Sequence, residues 1–237
     1  MENIVIIGAS GHGGMILDCV EKEGRYNVLG FVDSFKEKGV KLNGYEILGS
    51  EEDLPLLIDK LNIEGALLAI GNNWTRKKVA DKIGEIAPDL KFVTTIHPTA
   101  TIARNVEIGI GTVIMAGAII NANAVMGDFC ILNTNSSLGH DGIMYNFSSI
   151  ASGVCTGGNL MLGSYSAISL GANIIENITI EEHSIIGAGS LVVKNVKGYS
   201  VVYGSPARII RRRRAGDSYL SGDTDTINRS LVRLTSS

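Results

Sequence analysis

Large apolar residues recur at every sixth position along the second half of the chain. Neither an α-helix nor an alternating strand has a period of six, whereas a parallel β-helix built from hexapeptide repeats does. The position four residues after each large residue is mostly small, and the series contains one polar member, Thr156. The series is Ile96, Ile102, Ile108, Ile114, Ile120, Met126, Leu132, Leu138, Met144, Ile150, Thr156, Leu162, Ile168, Ile174, Ile180, Ile186 and Val192. We therefore predict a β-helix over residues 96–197 with this series pointing inward.

Three hexads would form one triangular coil, so residues 96–197 supply between five and six coils. Successive coils should rise by roughly 4.8 Å, because their strands pair like those of a parallel sheet. A single coil cannot bury its own apolar side, so we expect the stack to fold as one unit.

Residues 1–95 instead alternate short apolar runs with helical patterns. Strands are predicted at 3–8, 28–33 and 65–71. Helices are predicted near 15–22, from the segment at 50–53 to about 61, and over 73–86. Ser50 and Asp53 have the spacing of a capping box that opens the second helix. Such alternation favours a small parallel sheet covered by helices. We therefore predict an α/β domain over residues 1–95.

A glycine-rich loop, GASGHGG at 8–14, joins the first strand to the first helix. Backbone N–H groups in that setting can face a phosphate. Asp33 ends the second strand, where a carboxylate can accept hydrogen bonds from a ribose or a base. The segment GNNWTRKK (71–78) follows the third strand and emerges at the same sheet edge. A solvated helix N-terminus would also explain that segment, but a shared ligand site is favoured at this edge.

Two features argue against a nicotinamide oxidoreductase. Ser10 stands where the dinucleotide fingerprint has its middle glycine. Residues 1–95 also provide only one mononucleotide-binding half. A nucleotide diphosphate therefore fits this domain better than a dinucleotide.

The repeat places His140 on the outer surface, because it is the third residue of its hexad. Asp141 follows directly, and a neighbouring carboxylate can orient an imidazole. Spacing alone leaves a solvated residue and an active-site base both open. His97 is expected to mark the domain junction and His183 to be a solvated residue at a coil corner. His97 and His140, and likewise His140 and His183, are separated by more than two coils, or roughly 10 Å. This distance argues against one metal ion shared by the three histidines within a chain.

Composition narrows the class of protein further. The chain has 45% hydrophobic and 19% charged residues and a formal net charge of −3, so neither disorder nor attraction to nucleic acid is indicated. We find no apolar run as long as a membrane span and no basic signal-peptide start. The three cysteines lack CxxC spacing. We therefore expect a cytoplasmic protein with reduced thiols.

Several segments carry a family resemblance: GASGHG, FVDSFK, GNNWTRKK, LNTNSSLGHD, IIGAGSLVVKNV and GSPARII. To about residue 210 the chain resembles a bacterial family that includes bacillosamine-pathway UDP-4-amino-sugar N-acetyltransferases, GDP-perosamine N-acetyltransferases and sialic acid O-acetyltransferases. The resemblance implies a Rossmann-like domain for the nucleotide sugar, a left-handed β-helix and a coenzyme-side segment at 198–212. It also implies a homotrimer with acetyl-CoA bound between neighbouring helices, and thus active sites between subunits.

The same resemblance implies roles for individual residues. His140 would be the general base and Asp141 its orienting acid. The nucleotide sugar would be bound by Ser10, Gly11, His12, Asp33, Asn72 and Asn73. Acetyl-CoA would be bound by Asn133, Ser149, Gly158, Gly187, Ala188, Pro206 and Arg208. Ser149 departs from the family pattern, since some N-acetyltransferases have a second histidine there beside the thioester.

We therefore expect an acetyl-CoA-dependent N-acetyltransferase of a nucleotide-linked 4-amino-4,6-dideoxy sugar, acting by direct transfer without a metal. An O-acetyltransferase of a sialic-acid-like sugar is the alternative within the fold, and a non-catalytic trimeric scaffold that binds nucleotide or CoA is the alternative of another class. The sequence does not distinguish UDP, GDP and dTDP as the nucleotide of the substrate.

The tail at 213–237 is expected to be disordered. The arginine run at 211–214 is expected to be solvated, with attraction of the CoA 3′-phosphate as the sharper alternative.

Overall fold

The computed structural model describes residues 1–220, in which an α/β domain precedes a left-handed parallel β-helix. The α/β sheet has the order β3-β4-β2-β1-β5-β6 and is parallel except for the β3–β4 pair. Its strands are β1 (Glu2–Ile7), β2 (Tyr26–Val32), β3 (Lys41–Leu42), β4 (Tyr45–Gly49), β5 (Gly65–Leu68) and β6 (Lys91–Phe92). Its helices are α1 (Gly11–Glu23), α2 (Leu54–Leu61) and α3 (Asn73–Ile86). No helix among residues 1–220 has the length and apolar character needed to cross a bilayer.

The predicted capping box is present. The Ser50 N–H donates to Asp53 Oδ2 over 2.8 Å, and the box opens a 3-10 turn, Glu51–Asp53, that leads into α2. The pattern missed the β3–β4 hairpin, although Asn43-Gly44 is a strong hairpin signal. Both residues have positive φ, 50° and 90°, as such a turn requires. The hairpin was not predicted because β3 has only two residues, too few to show alternation.

The β-helix consists of two-residue strands separated by tight corners. Strands one coil apart pair in parallel at an 18-residue offset, as in Val113 with Ile131 and Ile131 with Ser149. The strands are β7 (Thr95–Ile96), β8 (Thr101–Ile102), β9 (Glu107–Ile108), β10 (Val113–Ile114), β11 (Ile119–Ile120), β12 (Val125–Met126), β13 (Ile131–Leu132), β14 (Ser137–Leu138), β15 (Ile143–Met144), β16 (Ser149–Ile150), β17 (Cys155–Thr156), β18 (Met161–Leu162), β19 (Ala167–Ile168), β20 (Asn173–Ile174), β21 (Thr179–Ile180), β22 (Ile185–Ile186) and β23 (Leu191–Val192).

These strands form three faces. The first face is β7-β10-β13-β16-β19-β22, extended by the hairpin β24 (Ser200–Gly204) and β25 (Ala207–Arg212). The second face comprises β8-β11-β14 and β17-β20-β23, and the third is β9-β12-β15-β18-β21. The sixfold series fills the interior, and Thr156 is buried with it. The first coil, below which no coil lies, is less well covered: Ile102 is 37% exposed, and Ile96 and Ile108 are only partly buried.

The first face packs against the α/β domain. Val113 and Ile131 share one apolar core with Cys19 of α1 and Val93. A column of stacked rings runs along the corner between the third and first faces, and we call it the aromatic column. It comprises Phe129, Phe147, Tyr165, His183 and Tyr199, each with φ between 52° and 62°.

His183 was expected to be solvated, and this prediction is wrong. It is 5% exposed, with its ring between Tyr165 and Tyr199 at centroid distances of 4.6 and 4.8 Å. Trp74 of α3 covers it at 5.4 Å. The covering side chain comes from the other domain, so the repeat could not reveal this burial.

The arginine run is not uniformly solvated either. Arg213 is 7% exposed, and its Nη1 donates to the His183 carbonyl over 3.1 Å. Residues up to Leu220 continue along the protein, with Tyr219 packed on the first face. The part of the predicted disordered tail at 213–220 is therefore folded, and the rest of that prediction lies outside the described residues.

Candidate active site

The glycine loop brings Ser10, Gly11 and His12 to the carboxyl end of β1. A Cβ on Gly13 would lie 2.4 Å from the Gly8 carbonyl oxygen. Only glycine at position 13 therefore lets the start of α1 pack this closely against the loop. Asp33 ties this loop in place, because its Oδ2 accepts from Ala9 N over 2.7 Å. The predicted ligand carboxylate therefore also shapes the loop.

The two asparagines of the GNNWTRKK segment have different environments. Asn72 caps α3, since its Oδ1 accepts from the Thr75 N–H over 3.0 Å. Asn73 is 0% exposed: its Nδ2 donates to the Ser166 carbonyl over 2.9 Å, and its Oδ1 accepts from Arg76 over 2.7 Å. Both polar groups of the Asn73 side chain are therefore used inside the protein, and its contact with a diphosphate-sugar stays a prediction.

A cavity of about 450 Å³ lies between the α/β domain and the first face, and we call it the interdomain cavity. Such a volume suits a small-molecule site. The residues predicted to bind ligands that line it are His12, Asn133, Ser149 and Ala188. It thus brings together one residue predicted for the nucleotide sugar and three predicted for acetyl-CoA.

Ser10 and Gly11 line a neighbouring cavity of about 420 Å³ together with Asn43, His97 and Thr134. His97 is buried there, and its Nδ1 lies 2.8 Å from Thr99 Oγ1. The glycine loop therefore faces one cavity on each side of the start of α1.

His12 is the polar group of the α/β domain that points to the interdomain cavity. Its Nε2 is buried without a hydrogen-bond partner among residues 1–220. Burial, together with the nearby Arg76 guanidinium, lowers the pKa of His12 to about 4. The imidazole is therefore neutral at physiological pH, and its Nε2 is available to a ligand.

This burial predicts a measurable pH dependence of stability. Unfolded His12 takes up a proton near pH 6.5, whereas the folded imidazole stays neutral down to about pH 4. The stabilisation is therefore present above pH 6.5 and is lost as the pH falls toward 4. Urea midpoints of wild type should drop more between pH 6.5 and pH 4 than those of His12→Gln. Parallel curves would contradict this explanation, and His183, whose pKa burial also lowers, should leave some slope in both proteins.

His140 and Asp141 lie at the corner between the second and third faces. His140 Nδ1 is 2.6 Å from Asp141 Oδ2, and Asn123 of the coil below donates to Asp141 Oδ1 over 3.1 Å. The hydrogen bond from His140 lowers the pKa of Asp141. The His140 side chain is 63% exposed, as its hexad position predicted. Asn123 was not among the predicted site residues, although its 18-residue offset from Asp141 identifies it as a stacked neighbour.

Gly158, predicted to contact the coenzyme, lies directly beside His140. A Cβ on Gly158 would be 2.3 Å from His140 Nε2, so the imidazole occupies the space that a side chain would fill. The absence of a side chain at this position therefore makes room for the ring.

Thr156 explains the local break in the second face. Its hydroxyl accepts from Gly139 N over 3.0 Å and donates to the Ser137 carbonyl over 3.1 Å. The face is divided between β14 and β17 at this level. A polar inward residue thus holds the strand that immediately precedes His140, a role the sequence analysis did not assign.

The remaining coenzyme-side residues lie at the far end of the β-helix. A Cβ on Gly187 would fall 1.9 Å from the Tyr203 ring, so Tyr203 covers this position. Pro206 and Arg208 are exposed on the β24–β25 hairpin. None of these three residues lines the interdomain cavity, and neither do His140 and Asp141. No three His, Cys, Asp or Glu side chains within residues 1–220 converge as metal ligands would.

Parts of the sequence are similar to known proteins. Residues 3–83 match the PglD N-terminal domain family. The chain is 34% identical over 119 residues to UDP-N-acetylbacillosamine N-acetyltransferase of Bacillus subtilis, an alignment that spans 49% of this chain and 52% of the relative. The matched part therefore covers about half the length of that curated relative.

Solved structures match over most of the fold. Perosamine N-acetyltransferase PerB from Caulobacter crescentus, in complex with CoA and GDP-perosamine, is 29% identical with a TM-score of 0.82, covering 88% of this chain and 97% of that one. The acetyltransferase domain of PglB from Neisseria gonorrhoeae, with acetyl coenzyme A, is 29% identical with a TM-score of 0.79 and coverage of 88% and 99%. The chain is thus similar in sequence and fold to nucleotide-sugar N-acetyltransferases.

Proposed function

We propose that this protein is an acetyl-CoA-dependent N-acetyltransferase that acetylates the amino group of a nucleotide-linked 4-amino-4,6-dideoxy sugar. The observation that carries the proposal is the exposed His140 imidazole, whose Nδ1 is held by Asp141. Such a contact leaves Nε2 as the proton acceptor. Two of the named relatives, from Bacillus subtilis and Caulobacter crescentus, are N-acetyltransferases, which favours N- over O-acetylation.

In the proposed reaction the sugar nitrogen attacks the thioester carbonyl carbon while His140 Nε2 accepts a proton from the amine. The carbon–sulfur bond then breaks, the amide forms, and CoA leaves as a thiolate that the imidazolium can protonate. General base catalysis contributes roughly 10²–10⁴ in rate. Alignment of the two substrates would contribute much of the rest.

The proposal includes a homotrimer with active sites between subunits. Within one chain the interdomain cavity opens at the first face, whereas His140 lies at the corner between the other two faces. A neighbouring copy could bring its own His140 corner to this cavity. Light scattering should therefore give three times the chain mass of 25.1 kDa. Both substrates would be met in the cytoplasm, the location we propose.

A binding and transfer experiment tests the function. Thermal shifts are measured with UDP, GDP and dTDP, each with and without acetyl-CoA, and the best nucleotide selects the 4-amino sugar substrate. We expect CoA thiol release together with a product that is one acetyl group heavier. Transfer to a sialic-acid-like hydroxyl instead would favour O-acetylation. Binding of CoA and nucleotide without transfer to any acceptor would favour a scaffold.

A further inference from the structure

The segment Arg213–Leu220 forms a strap across the boundary between the two domains, and we call it the C-terminal strap. It begins at buried Arg213, whose Nη1 donates to the His183 carbonyl over 3.1 Å and whose Nη2 donates to the Asp217 carbonyl. Arg214 N donates to Asp217 Oδ2 over 2.9 Å, and Asp217 N donates to the Arg214 carbonyl over 3.2 Å. These bonds anchor the strap to the β-helix as a defined turn.

The strap then crosses to the α/β domain. Gly216 passes over Trp74 with a φ of 83°, and a Cβ there would lie 3.0 Å from the indole. The Tyr219 ring packs on Ala167, Ile185 and Val201 of the first face. Its hydroxyl accepts from the N–H of Asn73, the first residue of α3, over 3.1 Å. Tyr219 thus contacts both domains at once.

Tyr219 and Leu220 form one wall of the interdomain cavity, which His12 and Asn133 also line. Gly71 separates Leu220 from His12, because a Cβ on Gly71 would lie 3.3 Å from Leu220 Cδ1 and 3.9 Å from His12 Cδ2. The cavity keeps about 450 Å³ with Tyr219 in place. The strap is therefore a wall of the site and does not plug it.

The Tyr219 hydroxyl has one proton to donate. Its oxygen already accepts from Asn73 N, the Ser149 side chain lies beside it in the cavity, and its contact with the Gly71 carbonyl is long, at 3.5 Å. Burial raises the pKa of Tyr219, so the phenol stays protonated at neutral pH. A ligand oxygen in the cavity would accept this proton at a better distance.

We propose that Tyr219 is a specificity-determining residue for the acceptor, donating a hydrogen bond to an oxygen of the amino sugar while Leu220 supplies an apolar contact beside it. This inference rests on the proposed function. The sugar is the expected occupant because His12 and Gly71 follow β1 and β5, at the sheet edge where α/β folds bind their ligands.

The test measures steady-state kinetics and direct binding on the full chain. Tyr219→Phe keeps the ring and should raise the acceptor KM about tenfold, as expected for one lost hydrogen bond in a cavity. The acetyl-CoA KM and kcat should change little. Tyr145→Phe, at an exposed tyrosine that does not line the cavity, is the matched control and should show the kinetic constants of wild type.

A second variant tests the apolar contact. Leu220→Ala, at a 59% exposed position where the fold should tolerate the change, should raise the acceptor KM about threefold.

Each outcome separates this inference from the proposed function. An unchanged acceptor KM in both strap variants, with active wild type, would overturn the role of Tyr219. A lowered KM would mean that Tyr219 obstructs the site and would also overturn it. If wild type transfers no acetyl group, the proposed function fails, and calorimetry still decides the inference. In that case a tenfold weaker Kd of Tyr219→Phe for the nucleotide amino sugar supports the role, and an unchanged Kd refutes it.

Discussion

Replacement of His140 by alanine should lower kcat for acetyl transfer by a factor of about 10²–10⁴. The substitution removes the proposed proton acceptor. The acceptor KM should change much less, because a general base acts mainly in the transition state and adds little to binding of the substrate. The His140 side chain is 63% exposed. Backbone hydrogen bonds to the coils above and below hold this corner, from Asp141 N to Ala122 O and from Asn159 N to His140 O. The fold should therefore survive, and the measurement is thiol release at saturating substrates.

A matched control occupies the same corner two coils further along. Glu176 is also exposed there, and Glu176→Ala should keep wild-type kcat. Both variants should keep the native mass and the nucleotide-induced thermal shift. An unchanged kcat of the His140→Ala enzyme would contradict the assignment of His140 as the general base.

Asp141→Asn should give a smaller loss of kcat than His140→Ala. The carboxylate accepts from the imidazole and so favours the tautomer with a free Nε2, whereas an amide can either accept or donate. Rate measurements on the two variants under identical conditions give the comparison. A loss equal to that of His140→Ala would instead mean that Asp141 acts directly.

Replacement of Arg76 by methionine should lower the free energy of unfolding by about 3 kcal/mol or more. Arg76 is 1% exposed, and among residues 1–220 its guanidinium pairs with no carboxylate. It donates instead to the Phe129 carbonyl over 2.9 Å and the Ile70 carbonyl over 2.8 Å, and to Asn73 Oδ1 over 2.7 Å. These bonds join α3 and the end of β5 to the aromatic column, so their loss leaves buried acceptors unpaired at the domain boundary.

Urea denaturation at equal protein concentration checks this prediction, because any association would make stability depend on concentration. Lys78→Met is the matched control: it removes an exposed cation from the same helix and should shift stability by no more than about 0.5 kcal/mol. Equal effects of the two substitutions would contradict a role for Arg76 in joining the domains. Methionine keeps a long apolar stem, so the comparison isolates the guanidinium.

Pattern and structure agree where the controlling interactions are local or repeat along the chain. The sixfold period correctly predicted the inward series and the exposed His140. The capping box at Ser50 and the bounds of α3 followed from neighbouring residues alone. Each of these features depends on groups within one turn or one hexad, so the sequence displays them directly.

Other features depend on which distant groups meet. Asn73 looked like a ligand residue, but its amide is used by Ser166 and Arg76. His183 looked solvated, but Trp74 and two tyrosines enclose it. No periodic signal distinguishes a polar residue that faces water from one that faces a carbonyl of the other domain.

The sequence by itself determined the coil, its inward and outward positions and the sheet edge that carries the glycine loop, because a fixed repeat and short-range backbone rules leave few alternatives. The tertiary structure alone decided that His12, Asn133 and Tyr219 surround one cavity. It also decided that Arg76 joins the two domains. The physical reason is that buried polar groups must find partners, and those partners lie on elements far apart in the chain.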